Sequence, residues 1–445
     1  MQSKIVEVKL EDNNIQKYQL ISDFKWDDLI FKSPSFNNKV IVAMARLYRV
    51  NIIPKDPSAY GFLVFYNIND IKIDLDRHTE IGYIFNDQVL LNYYFEKAHR
   101  NNEVKIDQFR LIFKNPKLQD IYNLLLSKNL IAFAEGTLDT VTFFPLSMDM
   151  GYLSDIESKI LSVNSHFFLM ELSDIDSPYD ELGTPHSLAL KQSKILLPPL
   201  NHRECLLVDY NDNVIIQHLE IDDLKIKIDN NLFINNKNSV FYYRPETRIT
   251  PKCLGSALII IKDKVVAVKE GGQAVVPMAG FVIQSDEHIF INSLDVSYIG
   301  ESNNYKFGVQ VGPAMVIDEK QITKLDCPFY TGEGVPYPST VYPLDFDCGR
   351  ASRIGIGELD NKPIIIWAEG AGKLGYIKSK ESCGASLLEF SSFCKSIGIK
   401  NLINLDGGGS AQIIYKGKRY LKIADREKDA ITEAERPIPL AIIHK

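Results

Sequence analysis

Asn404, Asp406, the glycines 407–409 and Ser410 fall in one short span, and their side chains and backbone could do chemistry together. A carboxylate, a carboxamide and a hydroxyl flank three consecutive glycines. Glycine admits positive φ and lets a backbone approach another group closely, and a run of it costs considerable chain entropy. Successive N–H groups in such a turn form a concave nest for an anion. The combination suits a polar, phosphorylated ligand. The alternative is a plain hairpin turn between strands. A nucleotide P-loop is excluded, because that motif needs Lys followed by Ser or Thr and then a helix, whereas Ile413-Ile414-Tyr415 follows here.

Other chemistry-bearing residues are spread along the chain. Arg353 opens a predicted strand, where a guanidinium could fork onto two phosphate oxygens in a way that lysine cannot. An ordinary ion pair is the alternative for it, and Arg350 is a second arginine three residues earlier. Glu270 and Glu369 each precede a glycine at a predicted strand end, which fits either a catalytic carboxylate or a solvated turn. Asn164 is either a ligand-orienting amide or a turn residue bonded to backbone.

The elements that must position these residues are readable locally. Ser386-Leu-Leu-Glu389 is a capping box, apolar residues at 387, 390, 394 and 397 follow at helical spacing, and Gly398 is placed to end the helix. A short apolar strand then runs through Leu402, Ile403 and Leu405 into the glycines. Beyond them, Gln412–Tyr415 and Lys418–Leu421 read as strands paired about a Lys416-Gly417 turn. Ile364–Trp367 pairs with the Arg353 strand across Asp360-Asn361, Leu258–Val268 folds back around Lys262-Asp263-Lys264, and Lys194–Pro199 is an edge or turn strand.

With helix, strand, glycine turn and strand in place, the string CGASLLEFSSFCKSIGIKNLINLDGGGSAQ resembles the signature of the phosphodiester glycosidase family. The Asn-Leu-Asp-Gly-Gly-Gly-Ser box is present without substitution. Asn164-Ser165-His166-Phe167-Phe168 resembles the family's Asn-Gly-x-Phe-Phe box, with Ser165 at the small position and His166 an unusual residue. Gly183-Thr-Pro-His186-Ser-Leu188 resembles the segment after that box. Arg353-Ile354-Gly355-Ile356-Gly357 resembles its Arg-Thr-Ala-Ile-Gly box, with Ile354 and Gly355 substituted. The stretch holding Arg244 and Arg248 is similar to an aromatic-x-Arg segment but lacks its glycine. Val275–Ile283 resembles a Pro-x-x-Gly-aromatic-Val strand, and Gly312-Pro313 a turn into another strand. The resemblance runs from about residue 155 to the end.

That resemblance implies an α+β fold with largely antiparallel sheets and few helices over 155–445. A mixed, strand-rich accessory domain is expected over 1–150, with a Tyr60–Ile68/Ile71–Leu75 hairpin, a strand at Val104–Phe113 and a helical Leu118–Leu126. The proline-rich 328–349 stretch reads as a surface loop. Length supports more than one domain. A balance of 50 basic against 57 acidic residues disfavours a nucleic-acid binder. The charged first dozen residues carry no secretory pattern, no run reaches membrane-spanning length, and six scattered cysteines read as reduced thiols, so the expectation is a cytoplasmic protein with no membrane partner. The sequence does not speak to oligomeric state.

The implied reaction is hydrolysis of a sugar-1-phosphodiester, such as an N-acetylglucosamine-1-phosphodiester or a nucleotide sugar, to free sugar and a phosphate monoester. A phosphate leaving group needs charge neutralisation more than protonation, which an arginine and a backbone nest supply. The oxocarbenium-like centre needs a carboxylate. The resemblance makes Asp406 the first choice, with Arg353 on phosphate and Glu270 and Glu369 behind. Asn164, Asn404, Gly407, Gly408, Gly409, Ser410 and Arg350 would bind substrate. No cofactor is required, although Asp406 could hold a divalent cation. The alternative function is a non-catalytic sponge or sensor for a phosphorylated glycoside or nucleotide.

Overall fold

A computed structural model of the chain describes residues 5–34, 151–156, 160–169, 183–200, 203–244, 249–322, 349–370, 377–424 and 435–444, single positions at 177, 179, 180 and 247, and the backbone of strands between 43 and 145. The chain forms two compact units, one of Met1–Phe36, Met150–Leu169 and Gly183–Lys445, the other of Asn37–Asp149 and Met170–Leu182. The fold is α+β, with antiparallel sheets and, among the described residues, one α-helix, Leu387–Ser396.

In the larger unit, alternation along strands decides which layer each residue joins. A seven-stranded sheet has the order Val6–Lys9, Ile15–Ile21, Lys362–Glu369, Arg353–Leu359, Asn401–Asn404, Ala314–Ile317, Lys320–Gln321. Ile364, Ile366 and Ala368 face the helix with Leu402 and Met315, while Ile365 and Trp367 face the central core with Ile354, Ile356 and Ile403. Such a two-sided strand must be apolar through its buried middle, as residues 363–368 are. Two five-stranded sheets close the central core from elsewhere. One has the order Lys418–Arg419, Ile413–Tyr415, Leu161–Asn164, Ala441–His444, Leu29–Lys32. The other has the order Lys194–Leu197, Ala189–Lys191, Tyr305–Val309, Glu204–Asp209, Val214–His218. In the latter, Leu206 and Val208 point into the central core, whereas Cys205 and Leu207 point into a second core shared with two smaller sheets.

Local expectations are met in the C-terminal third. Ser386 accepts from the Glu389 amide at 3.2 Å, Glu389 accepts from the Ser386 amide at 2.9 Å, and Gly398 has φ +85° beyond the helix end. Lys416 and Gly417 both have positive φ, as a two-residue hairpin turn requires. Asp360 and Asn361 do the same between the 353 and 362 strands.

The expected domain boundary is different. Residues up to 36 belong to the larger unit, because Ile15–Ile21 pairs with Lys362–Glu369 as a ladder strand and Leu29–Lys32 pairs with Ala441–His444. The helix is pinned from this side. Tyr18 stacks on Phe393 at a centroid distance of 3.8 Å, and Gln16 donates to the Gly384 carbonyl and to Glu389, both at 3.0 Å. In the smaller unit, Tyr60–Asn67 lies between Ala43–Tyr48 and Val89–Phe95. Both its edges are therefore occupied. Residues 71–75, 104–113, 118–126 and 328–348 lie outside the described residues.

Tyr18→Ala should destabilise the protein by about 3–5 kcal/mol, the usual cost of truncating a buried aromatic. Denaturant unfolding followed by circular dichroism measures this, and a loss under 1 kcal/mol would mean that the N-terminal hairpin is not integral to the larger unit.

Candidate functional site

The glycine turn joins two different sheets. Asn404 ends a strand of the seven-stranded sheet, and Ile413 begins a strand of a five-stranded one. The hairpin alternative is thereby removed. Leu405 makes the last ladder bond, its amide donating to the Ile354 carbonyl at 2.8 Å, and Asp406 then leaves the sheet. Residues 408–410 form a single 3-10 turn.

Each glycine does something different. Gly407 has extended φ, but a Cβ there would lie 2.6 Å from the Ser352 carbonyl oxygen. Gly408 has φ +57° and open space where a Cβ would stand. The nest is smaller than expected. The amides of Gly408, Ser410 and Ala411 are used on the carbonyls of Ser352, Gly407 and Gly408 at 2.8, 3.1 and 3.2 Å. Only the Gly407 and Gly409 amides of this run donate to no group among the described residues.

Asp406 is held by its main chain, its amide donating to the Ser165 carbonyl at 2.9 Å and its carbonyl accepting from Asn164 Nδ2 at 2.8 Å. Asn164 Oδ1 accepts the Gln412 amide at 2.9 Å. Both ends of the Asn164 carboxamide are taken by the two ends of the turn, so Asn164 positions the turn rather than a ligand. Asn404 is different. It is 1% exposed, and its Oδ1 has no hydrogen-bond partner among the described residues. Gly312 makes room for this side chain, since a Cβ at 312 would lie 2.7 Å from Asn404 Nδ2. Gln412 Oε1 is likewise buried without a partner, while its Nε2 donates to the Arg436 carbonyl at 2.6 Å. A buried, unpaired carbonyl costs about 1–3 kcal/mol, so these two oxygens are candidate acceptors at the turn.

The arginines are placed elsewhere than expected. Arg350 binds Glu389 through Nε and Nη2 at 2.8–3.2 Å and approaches Asp12 at 3.6 Å, tying the N-terminal hairpin to the helix cap. Arg353 is buried, its Nε donating to the Ala385 carbonyl at 3.0 Å and its Nη2 to the Gly349 carbonyl at 2.7 Å. Arg353 therefore braces the backbone beneath the turn. Arg248 lies outside the described residues, and Arg244 donates to the Val276 carbonyl from a different sheet region.

Glu369 ends its strand one residue before Gly370, and Gly370 exchanges hydrogen bonds with Ser352, the residue that receives the Gly408 amide. The main chain after Glu369 is thus linked to the turn through Ser352. Glu270 is not so linked. It lies on the Lys264–Gly272 strand of a four-stranded sheet, accepting from Ser256 Oγ at 2.9 Å and bonded to His288 Nδ1 at 2.6 Å. The His288 and Ser256 bonds hold its carboxyl below the usual range.

Behind the turn lie two buried histidines. His166 bonds the Leu188 carbonyl and Ser165 Oγ, both at 2.9 Å, and burial lowers its pKa to about 4. Burial, with His166 and Arg203 nearby, lowers His186 to about 3. Both are neutral at pH 7. Among the described residues no three His, Cys, Asp or Glu side chains form a metal-ligand group. Cys205, Cys253, Cys383 and Cys394 are free thiols.

Sequence reading missed Arg436, whose Nη1 lies 3.5 Å from Ser410 Oγ. It stands 26 residues beyond Ser410, so no local spacing reveals it. Gln412 was legible as part of the box, though not for its buried, unpaired Oε1.

Residues 225–444 match the family described as phosphodiester glycosidase. The chain carries a domain of that family. Among solved structures, it is similar to a hypothetical protein from Synechocystis, with 12% identity, TM-score 0.39 and coverage of 99% of this chain and 79% of that one. It is also similar to the catalytic domain of zebrafish N-acetylglucosamine-1-phosphodiester alpha-N-acetylglucosaminidase auto-inhibited by its pro-peptide, with 11% identity, TM-score 0.33 and coverage of 94% and 88%. No curated protein matches the chain.

Gly407→Ala should lose about 1–3 kcal/mol through its clash with the Ser352 carbonyl. Gly408→Ala should lose only about 1 kcal/mol, from positive φ, yet weaken binding of a sugar phosphate. Thermal melts and calorimetric titration separate the two effects; unchanged affinity in folded Gly408→Ala would leave these glycines purely architectural.

Because the folded His166 pKa lies below that of the unfolded chain, the unfolded state takes the proton first, and stability falls as pH drops from about 6.5 toward about 4. His166→Gln keeps a donor for Leu188 and does not titrate. It should flatten that fall by about 1–2 kcal/mol between pH 6.5 and 5, as read from urea melts. An unaltered slope would mean that His166 is not buried neutral.

Proposed function

We propose that this protein hydrolyses the glycosidic bond of a sugar-1-phosphodiester, an N-acetylglucosamine-1-phosphodiester or a nucleotide sugar being the substrates of first choice, and releases free sugar and a phosphate monoester. The observation that carries this reading is the buried Asp406, fixed through both its amide and its carbonyl, beside the unpaired carboxamide oxygens of Asn404 and Gln412. Acceptors of that kind suit sugar hydroxyls, and a carboxylate on a rigid backbone needs little reorganisation when positive charge develops at the anomeric carbon.

In the proposed reaction a water oxygen forms the new bond to the anomeric carbon. The bond from that carbon to the phosphoester oxygen breaks, and its electron pair leaves with the phosphate. The Asp406 carboxylate stabilises the cationic sugar and takes the water proton. The phosphate monoester is a weak base, so its departure depends on neutralising charge rather than on a protonated acid. Glu369, whose strand ends one residue before Gly370, is the second-choice carboxylate for this role.

The test is incubation with a panel of sugar phosphodiesters, following released sugar and phosphate. Asp406→Asn should lower turnover by at least about two orders of magnitude while leaving ligand affinity within a few-fold. Turnover within a few-fold of wild type would transfer the role to Glu369. Binding without turnover by the wild-type protein across the panel would favour a sponge or sensor.

A further inference from the structure

We propose that Ser165 and His166 form a positioning pair that sets the direction of Asp406, a role that rests on the choice of Asp406 as the reacting carboxylate given above. The pair is buried and directly follows the Leu161–Asn164 strand. Asn164 holds the Asp406 carbonyl at 2.8 Å, and the Ser165 carbonyl accepts the Asp406 amide at 2.9 Å. The Ser165 carbonyl lies in the peptide plane that joins Ser165 to His166. Groups that hold both of these side chains therefore fix where it points.

Both side chains are held. His166 Nε2 lies 2.9 Å from the Leu188 carbonyl, and its Nδ1 lies 2.9 Å from Ser165 Oγ. Burial keeps the ring neutral at pH 7. A neutral imidazole has one donor and one acceptor, and a carbonyl can only accept. Nε2 therefore carries the proton, and Nδ1 accepts from the Ser165 hydroxyl. The Leu440 carbonyl, 3.1 Å from the same hydroxyl, already accepts the Ser165 amide at 3.3 Å and is not left unpaired. A glycine at 165 would deprive Nδ1 of this donor. The pair also ties three sheets to one peptide plane: Leu188 leads into Ala189–Lys191, Leu440 into Ala441–His444, and Asp406 leaves the seven-stranded sheet.

Packing alone does not call for a histidine here. Phe31 meets the ring edge-on at 5.7 Å, a contact that phenylalanine would keep without desolvating two ring nitrogens. The Leu188 carbonyl would not be orphaned by that exchange, because it also accepts the Gln310 amide at 3.0 Å. What phenylalanine would lose is direction. Without the ring bonds, the 165–166 peptide plane is held by packing and by the Ser165 amide alone. A carboxylate stabilises a cationic centre only from a narrow range of positions, so drift of this plane costs rate before it costs stability.

The experiment uses the full chain and reads the NMR shifts of the His166 ring nitrogens, hydrogen exchange at the Asp406 amide, and turnover of a sugar phosphodiester. The wild-type ring should show a protonated Nε2 and an unprotonated Nδ1 at pH 7. His166→Phe and Ser165→Ala should each speed Asp406 amide exchange by about tenfold, while amides of the Lys225–Ile228 strand change much less. A purely structural loss would speed both alike. Each variant should lower kcat by about tenfold with KM within about twofold, at a temperature where melts show it fully folded. The two side chains act through one bond, so the double variant should lose little more than either single one. His166→Gln, which keeps one donor and one acceptor, should recover part of both losses. Where His166→Phe does not fold, Ser165→Ala and the wild-type ring shifts carry the test. A ring protonated on Nδ1, additive losses, or exchange or kcat within about twofold of wild type in the folded single variants overturns the positioning role and leaves the hydrolase reading standing. Faster Asp406 exchange in variants of a protein that turns over no phosphodiester supports the pair and removes the hydrolase reading.

Discussion

One carboxamide holds the site together. Asn164 sits at the end of its strand in a five-stranded sheet, and its side chain closes the loop that leaves the seven-stranded sheet, donating to the Asp406 carbonyl and accepting from the Gln412 amide. Backbone groups in a buried loop have no water to turn to, and each would cost about 1–3 kcal/mol if left unpaired. Asn164 answers one at each end of the turn. The same residue makes ordinary ladder contacts with the final strand, so the loop geometry is referred to two sheets at once. Asp406 and Ser410 inherit their positions from this clamp.

The glycines follow from that constraint. A loop that crosses between sheets at this point must pass against the Ser352 carbonyl, where only glycine fits at 407, and must reverse through positive φ at 408. Arg353 and Ser352 brace the other side, with Arg353 holding the carbonyls of Ala385 and Gly349 and Ser352 joined to Gly370. The arginine of this box is therefore an internal scaffold. Its Nε and Nη2 bonds hold the backbone beneath the turn.

How much of this was legible in the sequence depends on how far each signal reaches. The capping box at Ser386, the helix stop at Gly398 and the turns at Lys416-Gly417 and Asp360-Asn361 are encoded within a few residues, and each forms as read. The glycine box stands out as a candidate site because it packs several functional groups into one span. Pairings across hundreds of residues leave no such trace. Ile15–Ile21 has the alternation of a strand, but nothing local says that its partner is Lys362–Glu369, so the N-terminal segment was assigned to the wrong unit. Arg350 looked available because Glu389, its partner, is 39 residues away. Glu270 looked catalytic because it precedes a glycine, yet it belongs to another sheet.

The remaining polar atoms show where the protein has been built for something other than its own stability. His166 is satisfied through Leu188 and Ser165, and its burial in neutral form costs stability only in acid. Asn404 and Gln412 are another matter. Among the described residues their carbonyl oxygens are buried without partners, although in each case an apolar residue of similar volume would relieve the cost. Gln412 cannot simply turn its amide around, since Nε2 must keep donating to the Arg436 carbonyl. That one bond ties the unpaired acceptor to the Arg436 main chain: turning the amide over to occupy Oε1 would leave the Arg436 carbonyl facing another oxygen.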